Sequence, residues 1–311
     1  MEFWVGVTDN NWYEFLANLK PNEVNFWQPS GTPAFKKQLE LFLFKLHSPL
    51  NYIVGGGYFI TYTNLPISLA WETFGEKNGV ASYIELRNII LAYKKSHGGA
   101  IESDPDIGCS VLAQPFFFER ENWIPIPEDW KSNIVRGKTY NTQSTIGKKL
   151  WEDVQIRLRE ENKILSESTP LLEKEEFTNR YGSEYLTRAR IGQGSFKVLV
   201  TNAYHRRCSM TGEKTLPALE AAHIQAYSDN GPHSISNGLL LRADLHRLFD
   251  KHYITITTDL KIEVSKRIHE KFENGKDYYK LHGMGLAILP INSKDLPSRQ
   301  YIEWHNQNFC G

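Results

Sequence analysis

The sequence predicts an α+β protein of two domains. Three observations carry that expectation: short β-branched and aromatic runs over residues 1 to about 130, an amphipathic helical pattern near 148–165, and a histidine-rich strand–loop–helix pattern in the last third. A chain of 311 residues is long enough for two cores of ordinary size. Hydrophobic residues at 41% and charged residues at 23% fit a globular chain rather than a disordered one.

Taken in order, FWVGV, EVNFW, NYIVGGGYFITY and IGCSVLAQPFFF are apolar runs bounded by Gly, Pro, Asn or Asp, and each reads as a strand. Residues 34–47 (AFKKQLELFLFKLH) and about 82–96 (SYIELRNIILAYKK) read as helices between them. The first domain, 1–135, is therefore expected to be a mainly β barrel or open sheet with flanking helices. The polar, proline-containing stretch IPIPEDWKSNIVRGKTYNTQS reads as a loop. Trp151, Val154, Leu158 and Leu165 then recur at helical spacing, which predicts an amphipathic connector broken at Ser168-Thr169-Pro170. A helical linker is assigned to 136–185 and the second domain to 186–311. That domain opens on a helix over about 193–204, with Phe196, Leu199, Val200 and Tyr204 on one face.

Composition narrows the function class. The start, MEFWVGVTDN, has neither a basic n-region nor an apolar h-region, and no apolar run approaches the roughly 20 residues of a membrane helix. Cys109, Cys208 and Cys310 are odd in number and far apart, which fits neither a disulfide framework nor a four-cysteine zinc site. A cytoplasmic protein without membrane association is expected. Lys+Arg and Asp+Glu balance at 36 each, so a binder of phosphate backbones must sort its basic residues onto one surface. Residues 186–207 show such sorting: Arg188, Arg190, Lys197, Arg206 and Arg207 occur there without an acid. An ordinary solvated face fits the same charges.

The densest chemistry lies in 204–256, and eight of the ten histidines fall at or after position 205. LEAAHI reads as a short strand ending in His223. A polar loop follows and delivers Asn237, and then LLLRADLHRLFD places His246 and Asp250 one helical turn apart. These residue types suit phosphodiester hydrolysis. An imidazole titrates near neutrality and can take a proton from water, a role for His223. A nitrogen and an oxygen on one helix face can hold a divalent cation, a role for His246 and Asp250. Asn237 is cast as the orienter that ties the loop and aims His223.

This order of residues resembles the HNH, or ββα-metal, nuclease family, in which a general-base His, a structural Asn and a metal-binding His follow one another. The resemblance implies an endonuclease with His223, Asn237 and His246 as catalytic residues and a divalent metal, Mg²⁺ or Mn²⁺ and otherwise Ni²⁺ or Co²⁺. One departure matters. Many family members carry a metal-binding Asp or His directly before the base, and here that position is Ala222. Glu220, two residues earlier, is either a third ligand or a support. Cys208 stands where some relatives begin a zinc knuckle, but C-S-M-T lacks the second cysteine, so no structural zinc is expected. Arg188 and Arg190, with Arg206, Arg207 and Arg242 around the motif, are candidates for phosphate contacts. His233 and His252 read as solvated.

The first 130 residues resemble an EVE domain, a PUA-like barrel related to readers of modified bases, through FWVGVTDNNW, VNFWQPSG and IVGGGYF followed by Trp71 and Phe74. Such readers hold a flipped base between aromatic faces. That implies Trp27, Tyr58, Phe59 and Trp71 as candidate walls, and Asn25, Gln28 and Ser30 as candidate readers of the base edge. A core-filling role suits the aromatics equally well. Reader plus nuclease resembles a modification-dependent, type IV-like restriction endonuclease. It is expected to cut double-stranded DNA bearing a modified cytosine such as 5-methylcytosine, as a homodimer. A non-catalytic binder of modified nucleic acid, and an HNH nuclease without modification dependence, are the alternatives.

Overall fold

Alternation along the first strand, β1 (Glu2–Thr8), sends Phe3 and Val5 to one side of a sheet and Trp4 to the other, into two separate apolar clusters. In the computed structural model, which describes residues 1–33, 35, 39–98, 102–168 and 191–309, the chain divides into two units, Met1–Arg190 and Ile191–Gly311.

The first unit continues with α1 (Asn10–Leu19), β2 (Glu23–Gln28), β3 (Leu41–Leu46), β4 (Tyr52–Pro66), α2 (Ile67–Phe74) and α3 (Tyr83–Ser96). It ends with β5 (Asp106–Phe117), β6 (Ile124–Pro125), β7 (Gly137–Asn141) and α4 (Thr145–Ser168). The strands form one sheet in the order β2-β5-β4-β3-β1-β7, with β6 beside β4. Only β1 and β3 pair in parallel; the other pairings are antiparallel. Three strand spacings of about 4.8 Å would separate β2 from β3 in a flat sheet. Yet the rings of Phe26 on β2 and Phe42 on β3 have centroids 4.6 Å apart. The sheet therefore curls onto itself, barrel-like, although among the described residues no ladder joins β2 to β7.

Local signals start the helices. Asp9 caps α1 by accepting the Trp12 amide at 3.0 Å. Ser82 caps α3 by accepting the Glu85 amide, and the Glu85 carboxylate accepts the Ala81 amide in return.

Two expectations are corrected here. The helix expected at 34–47 is, over Leu41–Leu46, the strand β3, and all six residues are buried. A strand covered on both faces loses its polar alternation and reads as a continuous apolar run. The stretch from 136 is not a free linker, because β7 pairs with β1 and Leu150, Trp151 and Val154 of α4 are buried in the core against Phe3 and Val5. Thr169, Pro170 and the rest of the expected linker lie outside the described residues.

The second unit runs α5 (Gln193–Ala203), β8 (Leu219–His223), β9 (Gly238–Arg242), α6 (Ala243–Asp250), β10 (Ile254–Ile256), β11 (Ile262–Val264), α7 (Arg267–Phe272), α8 (Lys276–Tyr279) and α9 (Arg299–Gln307). β8 and β9 are antiparallel, with His223 opposite Gly238. Phe196, Val200 and Tyr204 from the α5 region meet Leu239, Leu240 and Leu241 of β9, Leu245 and Phe249 of α6 and Ile302 of α9 in one core. Gly238 permits that packing: a Cβ there would lie 2.5 Å from Val200 Cγ2. Among the described residues, no helix is long and apolar enough to cross a membrane.

Candidate nuclease site and a cavity in the first unit

β8, the loop to β9 and α6 bring His223, Asn237, His246 and Asp250 together. Asn237 is fully buried and uses both ends of its amide. Its Oδ1 accepts the Gln225 amide at 2.9 Å, and its Nδ2 donates to the carbonyls of Gln225 and Pro232, each at 3.0 Å. One side chain thus closes the loop that follows His223.

His223 stacks flat on Phe196, with centroids 3.9 Å apart, and its Nε2 is hydrogen-bonded to Nδ1 of His233 at 3.0 Å. Burial, then the neighbouring His233 and His246, push its pKa down to about 4. The imidazole is therefore neutral across the physiological range. His233, read from sequence as solvated, is a partner of His223 and carries the ring of Tyr227 at 4.3 Å. Only its position ten residues downstream in a polar loop was visible beforehand, and that does not mark a contact.

His246 offers its two nitrogens to two carboxylates: Nδ1 meets Glu220 Oε2 at 2.6 Å and Nε2 meets Asp250 Oδ2 at 3.3 Å. Burial alone would lower its pKa, but the bonds and charges of Asp250 and Glu220 outweigh that and raise it. The donor set suits a divalent cation. A carboxylate on one ring nitrogen fixes the tautomer of a ligating histidine, and the other nitrogen converges with a second carboxylate. Glu220 and Asp250 thus meet opposite nitrogens of the His246 ring. Among the described residues, no group of three or more His, Cys, Asp or Glu side chains is arranged to hold a metal.

The basic residues near the motif are partly engaged. Arg242 pairs with Asp244, and Arg207 donates to the Gly212 carbonyl at 3.2 Å. Arg188 and Arg190 lie outside the described residues.

The first unit holds a half-open cavity of about 770 Å³ lined by Trp27, Gln28 and Ser30, with Phe15, Ile89, Tyr93 and Arg136 among the other walls. Trp27 is fixed by its indole N–H, which donates to the Asn78 carbonyl at 2.8 Å. Arg136 donates to Gln28 Oε1 at 3.0 Å and to the Thr32 carbonyl at 2.7 Å, so it braces the loop carrying Gln28 and Ser30. Four expected wall or reader residues, Asn25, Tyr58, Phe59 and Trp71, are not part of the lining. Asn25 is fully buried, and its amide donates to Asn78 Oδ1 and Cys109 Sγ, so it supports the segment that holds Trp27. Strand alternation turns Tyr58 to the opposite cluster from Phe59. Trp71 sits half-buried on α2. Arg136 is more than a hundred residues from Gln28, and no local pattern announced it.

Comparison with known proteins places this geometry. Residues 208–257 match the family model described as HNH endonuclease. No curated protein matches the chain. Among solved structures, the "Modification dependent TagI restriction endonuclease" is 23% identical over 37% of this chain and 38% of its own, with a TM-score of 0.28. The chain thus spans less than two fifths of that protein. An ASCH protein from Zymomonas mobilis is 12% identical over 36% of this chain and 69% of its own at TM-score 0.27, and a mutant of it is 10% identical over 48% and 94% at 0.33. The strand, loop, strand and helix that carry His223, Asn237 and His246 all fall within 208–257, and this part of the chain is an HNH endonuclease domain.

Proposed function

We propose that the protein is a modification-dependent DNA endonuclease, in which the first unit selects a modified base and the second hydrolyses a phosphodiester bond. One observation supports the reading above the others: a neutral, oriented His223 stands close enough to His246 and Asp250 to feel their charges, and Asn237 closes the loop between them.

His223 takes a proton from a water molecule as the water oxygen forms its bond to phosphorus. The bond from phosphorus to the 3′-oxygen breaks, and that oxygen gains a proton from solvent. His223 starts neutral, so it is ready to accept at pH 7. The anionic phosphate beside it raises its proton affinity during the reaction. His246 Nε2 and Asp250 would hold the divalent cation, Mg²⁺ or Mn²⁺. When bound, that ion polarises the phosphoryl oxygen and neutralises the charge on the leaving oxygen. Glu220 keeps Nδ1 of His246 occupied and so aims Nε2.

The cavity of the first unit supports the selecting role. Trp27 offers an immobilised aromatic face for a flipped base, and Gln28 and Ser30 supply polar edges beside it. Each chain carries one HNH site, so cutting both strands calls for two copies, most simply a homodimer. The test is cleavage of plasmid with and without 5-methylcytosine, in Mg²⁺ or Mn²⁺, by wild type and His223→Ala. Cutting confined to modified plasmid and lost in His223→Ala is expected. Equal cutting of both plasmids would remove the modification dependence, and no cutting of either would remove the nuclease reading.

A further inference from the structure

A neutral imidazole has one nitrogen with a proton and one with a lone pair, so a histidine acts as a base only if its open nitrogen faces the water. At His223, Nε2 is taken by Nδ1 of His233 at 3.0 Å. Its Nδ1 has no hydrogen-bond partner among the described residues. Two arrangements satisfy this contact. If His233 donated, the proton of neutral His223 would sit on Nδ1 and its one lone pair would be capped. If His223 donates through Nε2–H, the lone pair of Nδ1 stays open.

His233 is built to keep its place. Tyr227 stacks on its ring with planes only 8° apart, and Phe196 lies 5.6 Å from it. The carbonyl of the preceding residue, Pro232, accepts from Asn237 Nδ2. The buried Asn237 therefore anchors the segment that carries His233 as well as the backbone just beyond His223.

We infer that His233 is a positioning residue for the hydrolysis: its Nδ1 accepts Nε2–H of His223 and holds the neutral base in the tautomer whose Nδ1 is open to water. The contact also gains strength when His223 takes up the proton, because a hydrogen bond from an imidazolium is charge-assisted. The inference rests on His223 being the base, but the contact can be tested without any reaction.

The experiment uses the full chain with ¹⁵N-labelled histidine and two substitutions. His233→Phe keeps a flat ring on Tyr227 and removes the acceptor. His233→Asn puts an amide oxygen at the δ position and removes the ring. In wild type the ¹⁵N shifts of His223 are expected to show a protonated Nε2 and an unprotonated Nδ1. His233→Phe should mix the tautomers and lower kcat about ten- to a hundred-fold at unchanged KM. His233→Asn should restore the tautomer and bring kcat within a few-fold of wild type. A protonated Nδ1 in wild type overturns the inference. So does a His233→Phe protein with wild-type kcat, or a His233→Asn protein no better than His233→Phe. The tautomer is read without substrate, so this failure is separate from an active His223→Ala, which would instead remove His223 as the base.

Discussion

The imidazole of His223 lies parallel to the ring of Phe196, with centroids 3.9 Å apart and planes 12° apart. Phe196 is also a core residue, 1% exposed. The face that orients the proposed base is thus part of the packing that holds α5 on the β8–β9 hairpin.

Phe196→Leu separates these two roles. It keeps much of the buried volume and should cost on the order of 1 kcal/mol of stability, whereas Phe196→Ala should cost about 3–5 kcal/mol through the cavity it leaves. Both should lower kcat for DNA cleavage. Urea melts and plasmid nicking check this, and a Phe196→Leu protein that cuts at the wild-type rate would show that stacking does not orient His223.

The opposed nitrogens of His246 predict unequal losses at its two carboxylates. His246→Ala should abolish specific Mn²⁺ binding in a calorimetric titration. Glu220→Gln retains an oxygen at Nδ1 but not its charge, so it should weaken Mn²⁺ ten- to a hundred-fold. If Glu220→Gln abolishes binding as fully as His246→Ala, Glu220 is itself a ligand.

Trp27→Ala should weaken binding of modified duplex by about five- to a hundred-fold, the value of one stacked base at about 1–3 kcal/mol. Salt-sensitive binding of plain DNA, which comes from Lys and Arg at phosphates, should hardly change. Competition binding measures both, with a melting temperature near wild type as the condition for reading the result. Undiminished discrimination would take Trp27 out of the base site.

His305 should make folding sensitive to acid. Its Nε2 is bonded to the Phe249 carbonyl at 3.0 Å and its Nδ1 to the Thr255 hydroxyl at 2.8 Å. Burial pushes its pKa down from 6.5 to about 4. Below pH 6.5 the unfolded chain binds a proton that the folded chain refuses until about pH 4, so stability present above 6.5 is lost as pH falls through that window. The full loss is about 3 kcal/mol at 1.36 kcal/mol per unit, and His223 acts in the same direction. Unfolding at pH 7 and pH 4.5 should show a steeper loss in wild type than in His305→Gln. Equal losses would remove His305 from the acid response.

The pattern around His223 was legible because its parts are close in sequence and each residue type has a narrow use. Asn237 as the tie of its loop, and His246 with Asp250 on one helix face, follow from strand–loop–helix spacing alone. What escaped depends on long-range packing. His233 became a partner of His223 only through the path of the loop, and Arg136 reaches Gln28 across the fold. In the first unit, Leu41–Leu46 misled because burial on both faces erased the period of two. Asn25 misled because a polar residue near Trp27 looks like a reader whether it faces the cavity or the core. Tyr58 fell to the other side of β4 from Phe59, and its position in the run could not say which side held the cavity.

The pair Asn237-Gly238 carries a chemical liability as well as a structural role. Asn-Gly is the dipeptide most open to deamidation, in which the glycine nitrogen attacks the asparagine amide carbon. Neither residue is easily exchanged: Gly238 leaves no room for a Cβ against Val200, and the Asn237 amide closes its loop through three bonds. The fold answers by immobilising both reactants. The Gly238 N–H is donated to the Ile235 carbonyl, and the Asn237 amide is sealed from water. An aspartate formed there would turn an oxygen toward the carbonyls of Gln225 and Pro232, where two N–H donors had been. The lifetime of the nuclease site is therefore tied to how seldom this loop opens.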